Sequence, residues 1–137
     1  MVIVDDHLAI LAIAGRLPDL GATEPVATTY GFHFRMARAV ADSARAGSLS
    51  RRLADPAAAL ARVMRPPGHR LLVLDPRPSM EAAVAVAAGD RANLLLAELV
   101  GAALHHRAAI RVTPANKGKS WTRVMEAEGI DFQTVEP

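Results

Sequence analysis

The chain alternates short apolar, β-branched runs with longer alanine-rich stretches bounded by helix start and stop residues. That order limits its fold more than any other feature. Val2 to Asp5 is the first such run, suited to a strand covered on both faces. A helix from His7 to about Leu17 follows, with Leu8, Ile10, Leu11 and Ile13 as its apolar residues and Asp6 as its expected cap; Pro18 and Gly21 close the unit. Thr28 and Thr29 precede a helix from Tyr30 to about Ala44, broken at Gly47 and Ser48. Ser50 to Ala54 and Pro56 to Met64 read as two short helices, the second capped by Asp55 with Pro56 in its first turn. After Pro66, Pro67 and Gly68, the segment Arg70 to Asp75 reads as the second strand. Ser79 opens a further helix, and Asp90 separates it from a long helix over Arg91 to His106. Ile110 to Thr113 is a third strand, Lys119 to about Glu128 a helix ended by Gly129, and Ile130 to Val135 a last strand.

Strands separated by helices require crossover connections. The expected fold class is therefore α/β, a three-layer domain with a central, largely parallel sheet of about four strands and helices on both faces. At 137 residues, of which 51% are hydrophobic, residues 1–137 suit one domain with a full core, and disorder is excluded. There are no cysteines, which removes disulfides, zinc fingers and thiol catalysis. The formal charge of +2 neither requires nor excludes a nucleic-acid partner. The longest apolar zone, Ala82 to Leu104, is interrupted by Asp90, Arg91 and Glu98, whereas a membrane span needs about 20 predominantly apolar residues. The first residues carry no basic region or cleavage site, so the expectation is a cytoplasmic protein without a membrane partner.

In such a sheet, sites form outside the carboxyl ends of strands. Three places qualify: Asp5 and Asp6, Asp75 to Arg77, and Thr113 to Ser120. Asp5 ends an apolar strand, where an ionised carboxylate must be solvated, paired or metal-bound. With Asp6 as the cap, Asp5 needs another partner. Glu98 lies among Leu94, Leu95, Gly101 and Ala102 at helical spacing; alternatively, Arg91, Glu98 and His105 form one solvated stripe. Gly118-Lys119-Ser120 before a helix resembles the end of a phosphate loop, but Thr113 stands where the first glycine belongs and Pro114 lacks an amide hydrogen. Nucleotide hydrolysis is thus a distant third reading. The five histidines show no metal-helix spacing, and His105 and His106 suit a helix C-terminus. Arg35, Arg38 and Arg45 share one flank of the second helix, and Arg51 and Arg52 follow; such a flank either tracks phosphates or is simply solvated.

Residues 2–13, Val-Ile-Val-Asp-Asp-His-Leu-Ala-Ile-Leu-Ala-Ile, resemble the start of PIN domains. So does the second half: Leu72-Val-Leu-Asp-Pro, a helix near Ser79, a helix containing Ala97-Glu98-Leu99, then Ile110-Arg-Val-Thr113, a helix and Gly129-Ile-Asp-Phe. The resemblance implies a ribonuclease dependent on Mg²⁺ or Mn²⁺, or the toxin of a toxin–antitoxin pair held by an antitoxin protein, and it permits a homodimer. On that pattern Asp5 falls on the first acid, Glu98 near the acid of the long helix, and Asn116 close to the acid after the third strand. Asp5 and Glu98 would hold the metal and Asn116 would assist, with Asp6, Asp75 and Thr113 in support. Arg35, Arg38, Lys117 and Lys119 would engage RNA. The early Glu of the family, expected around Thr28 to Arg35, has no counterpart. Hard cations prefer anionic oxygen, so this gap implies weaker metal binding. It also supports the alternative of a degenerate PIN-like module that binds a protein or RNA without cleavage.

Overall fold

A computed structural model describes residues 1–20, 25–46, 55–90 and 92–137. In chain order the elements are β1 (Val2–Val4), α1 (Asp6–Ala14), β2 (Val26–Thr28), α2 (Tyr30–Ala46), α3 (Pro56–Met64), β3 (Leu72–Val73), α4 (Met80–Asp90), α5 (Leu94–His106), β4 (Ala109–Val112), α6 (Trp121–Ala127) and β5 (Phe132–Thr134). Single 3-10 turns at Arg77–Ser79 and Pro114–Asn116 precede α4 and α6. The sheet is wholly parallel in the order β3-β2-β1-β4-β5. It has five strands rather than about four, because Val26–Thr28 pairs with β1 through Val2↔Val26 and Val4↔Thr28. Three residues are too few to display a period, and the two threonines read equally well as a helix start. The helix expected at Ser50 to Ala54 lies outside the described residues.

The sheet is covered on both faces, in keeping with the three-layer α/β expectation. In β1 the side chains alternate between them. Val2 and Val4 join Leu8 and Ile13 of α1, Met36 of α2 and Val63 of α3 in one core. Ile3 joins Leu96 and Leu99 of α5, Trp121 and Val124 of α6, and Ile110 and Val112 in the other. Each such side chain contributes about 1.5–3 kcal/mol when fully removed from water. Against the α4 flank, α5 approaches so closely that a Cβ on Gly101 would lie 2.7 Å from the backbone nitrogen of Ala83. Among the described residues no helix is long and apolar enough to cross a membrane.

From β1 the chain winds one way to β2 and β3, and it returns to the opposite side of β1 for β4 and β5. The reversal falls between β1 and β4, and in open parallel sheets the carboxyl ends of the strands at such a switch point are where a crevice forms. Asp5 follows β1 and Thr113 follows β4, so both are buried at this switch point.

Candidate functional site: the β1–β4 crevice

Asp5, not Asp6, caps α1. Its Oδ1 accepts the Leu8 amide at 2.9 Å, which satisfies one of the unpaired N–H groups of the first turn. Its Oδ2 accepts three hydrogen bonds: from the Thr113 amide at 2.7 Å, the Thr113 hydroxyl at 2.7 Å and Asn116 Nδ2 at 2.9 Å. Asp5 is fully buried, and these donors replace the water it loses. Asp6, one residue inside the helix, is buried too. Its Oδ1 accepts Asn116 Nδ2 at 2.7 Å and its Oδ2 pairs with Arg35 Nη2 at 3.3 Å. The Asn116 amide therefore bridges the two carboxylates through nitrogen, while its Oδ1 accepts Arg35 Nη2 at 3.1 Å. This polarity fixes the amide orientation, since the reverse would set oxygen against two carboxylates. Arg35 is half-exposed, with its guanidinium carbon 5.6 Å from the centroid of the Phe32 ring.

Glu98 joins a neighbouring strand end rather than this network. From α5 its carboxylate receives the Gly31 amide, at 2.9 Å to Oε2 and 3.2 Å to Oε1, and so caps the start of α2. A carboxylate in the first turn also interacts favourably with the helix dipole. Gly31 lets this contact close: a Cβ would lie 2.5 Å from Glu98 Oε2 and 2.8 Å from Leu95 Cδ2, so those side-chain ends would have to move aside. Among the described residues no hydrogen bond links Glu98 to Asp5, Asp6 or Asn116. The solvated stripe through Arg91, Glu98 and His105 is likewise not what Glu98 forms, for its partner is backbone.

The other candidates scatter. Asp75 follows β3, is exposed, and accepts both the amide and the guanidinium of Arg77. The Arg77 side-chain hydrogen bond, followed by the one from its backbone, holds the Asp75 carboxyl below the usual carboxylate range. Asp75 thus braces a surface turn and has no bond to the Asp5 network. Arg38 pairs along α2 with Asp42 at 3.4 Å, both exposed, and the side chain of Arg45 and residues Arg51 and Arg52 lie outside what is described. Lys117 and Lys119 are exposed just beyond Asn116. The segment Thr113 to Ser120 is no phosphate loop: it forms a 3-10 turn whose side chains serve Asp5 and Asp6, and Ser120 makes no side-chain cap for α6.

Two participants escaped the sequence reading. Asn93 caps α5, its Oδ1 accepting Leu96 N at 2.9 Å, so that helix begins at Leu94 rather than Arg91. His7 stands exposed beside the crevice with Nδ1 3.4 Å from the Thr113 hydroxyl. A glycine at the second helical position, as Gly31 is, was the one available signal of a close approach, because glycine there costs helix stability.

The donor set fits a divalent cation poorly. A carboxylate offers about four lone-pair positions, and Asp5 already fills them with protein donors. Asp6 is neutralised by Arg35, and Glu98 faces an amide. Among the described residues no three His, Cys, Asp or Glu side chains are grouped so as to hold a metal. No protein-family model matches the chain, and a comparison with curated proteins finds no match.

Proposed function

We propose that this chain is a PIN-like module that binds RNA at the β1–β4 crevice without cutting it. One observation carries the reading: the charge compensating the buried carboxylates comes from the protein itself, through Arg35 on Asp6 and Asn116. Two carboxylates against one guanidinium leave one negative charge, spread over the four hydrogen bonds at Asp5, and the half-exposed Arg35 with Lys117 and Lys119 supplies the cations a phosphate would meet. The test is fluorescence anisotropy of a labelled single-stranded RNA in EDTA, at several salt concentrations. The account expects salt-dependent binding, weakened in Arg35→Ala and in Lys117→Ala, with the RNA recovered at full length. Absence of binding would refute it.

A metal-dependent ribonuclease of PIN type, with Mg²⁺ or Mn²⁺, is the second reading. It is favoured by the single amide nitrogen of Asn116 that brings Asp5 and Asp6 together at the switch point. Cleavage that needs Mn²⁺ and disappears in Asp5→Asn and Glu98→Gln would establish it in place of the first.

A further inference from the structure

The hydrogen-bond order in the crevice determines what His7 can recognise. Oδ2 of Asp5 faces the N–H groups of Thr113 and Asn116, so it carries no hydrogen and the Thr113 hydroxyl must donate to it. The hydroxyl has then spent its one hydrogen, and toward His7 it offers only a lone pair. Nδ1 of His7, 3.4 Å away, is therefore the donor of that contact. In a neutral imidazole with hydrogen on Nδ1, the other nitrogen, Nε2, is an acceptor. In its neutral form His7 thus presents an acceptor on α1 beside Thr113, while three residues along the same turn Asn116 holds the guanidinium of Arg35.

A cation and an acceptor held from the same 113–116 turn fit different parts of a nucleotide. Arg35 suits the phosphate oxygens, which only accept. Nε2 requires a donor, and in the sugar–phosphate backbone the only one is the ribose 2′-hydroxyl, which DNA lacks. We infer that His7 is a specificity-determining residue that accepts a hydrogen bond from a ribose 2′-hydroxyl, so that the crevice prefers RNA to DNA of the same sequence. The inference rests on the proposed binding of RNA and assigns that site its sugar preference.

The experiment compares a single-stranded RNA with DNA of identical sequence (uracil retained in both) by anisotropy in EDTA, using the whole chain and His7→Ala. A net hydrogen bond of about 1 kcal/mol corresponds to roughly a five-fold difference in Kd. The wild-type protein is expected to bind RNA about five-fold more tightly than DNA, and His7→Ala is expected to lose that preference. Equal binding of both strands by the wild type, or a preference that survives in His7→Ala, would overturn the inference and leave the RNA-binding module standing. If neither strand binds, both fall together. Nitrogen-15 NMR of labelled histidine gives an independent reading: Nδ1 protonated and Nε2 bare at His7 in the wild type, with the bias toward that form lost in Thr113→Val. The opposite tautomer in the wild type would refute the argument at its base.

Discussion

Neutralising Asp5 separates a satisfied structural carboxylate from one reserved for a metal. In Asp5→Asn the amide retains its oxygen at only one of the two positions. Turned so that oxygen meets Thr113 and Asn116, its NH₂ faces the Leu8 amide and the α1 cap is lost, at about 1 kcal/mol. The three bonds at the other oxygen lose their charge assistance, each weakened by roughly 0.5–1 kcal/mol. The opposite orientation sets NH₂ against the buried Thr113 amide and is worse. The expected loss is therefore about 3 kcal/mol, a large part of the 5–15 kcal/mol typical of a domain. In a thermal melt in EDTA this is a fall in Tm of roughly 10 °C for a chain of this size. A carboxylate held beside Asp6 for an absent cation would behave in the opposite way, because removing its charge relieves repulsion. A Tm that stays within about 2 °C of the wild type, or rises, would refute the reasoning.

Other substitutions test the close approaches and the exposed pair. Gly31→Ala drives a Cβ toward the ends of the Glu98 and Leu95 side chains, which can swing aside, so it should cost less than about 1 kcal/mol in urea denaturation and displace the Glu98 carboxylate from the Gly31 amide, a coupling to Glu98→Ala that a double-mutant cycle measures. Gly101→Ala should cost about 1–3 kcal/mol, because the atoms in its way belong to the backbone and Cβ of Ala83 and cannot swing aside. Asp75 has its folded pKa lowered by Arg77, so its stabilising contribution is complete above the ordinary Asp value and fades as pH falls through the folded one. Asp75→Asn should therefore flatten the acid limb of the stability profile below about pH 4 by losing, at pH 7, the same small contribution that acid removes from the wild type, small because the pair is exposed.

The layered fold was legible because each long element carries its own period and punctuation. The runs at Val2 and Ile110 are apolar enough to lie between two helical layers, and Asp55-Pro56 and Gly129 mark helix ends on local grounds. β2 was not legible, since Val26–Thr28 is a strand only because β1 and β3 flank it. Of the site, Asp5, Asp6, Thr113 and Asn116 were placed correctly at strand ends, since the position of crevices follows from topology. Their roles were not readable. Whether Asp5 or Asp6 caps α1 depends on a difference of one residue, and both sit before a helix. Arg35 turns to Asp6, while Arg38 remains on the solvent side with Asp42, and nothing in the sequence distinguishes these two arginines three residues apart on one helix. Glu98 was singled out as a carboxylate among leucines, with a solvated stripe as the alternative, but its partner is a backbone amide, and no residue type announces that.

The central claim is that the carboxylates of the crevice are compensated by the protein and leave no vacancy for a cation. Its most direct test is a titration of the metal-free protein with Mn²⁺, followed by electron paramagnetic resonance of the free ion. The account predicts that the signal tracks added Mn²⁺, with no stoichiometric uptake at micromolar concentrations. One ion taken up tightly per chain, and released by Asp5→Asn, would contradict it.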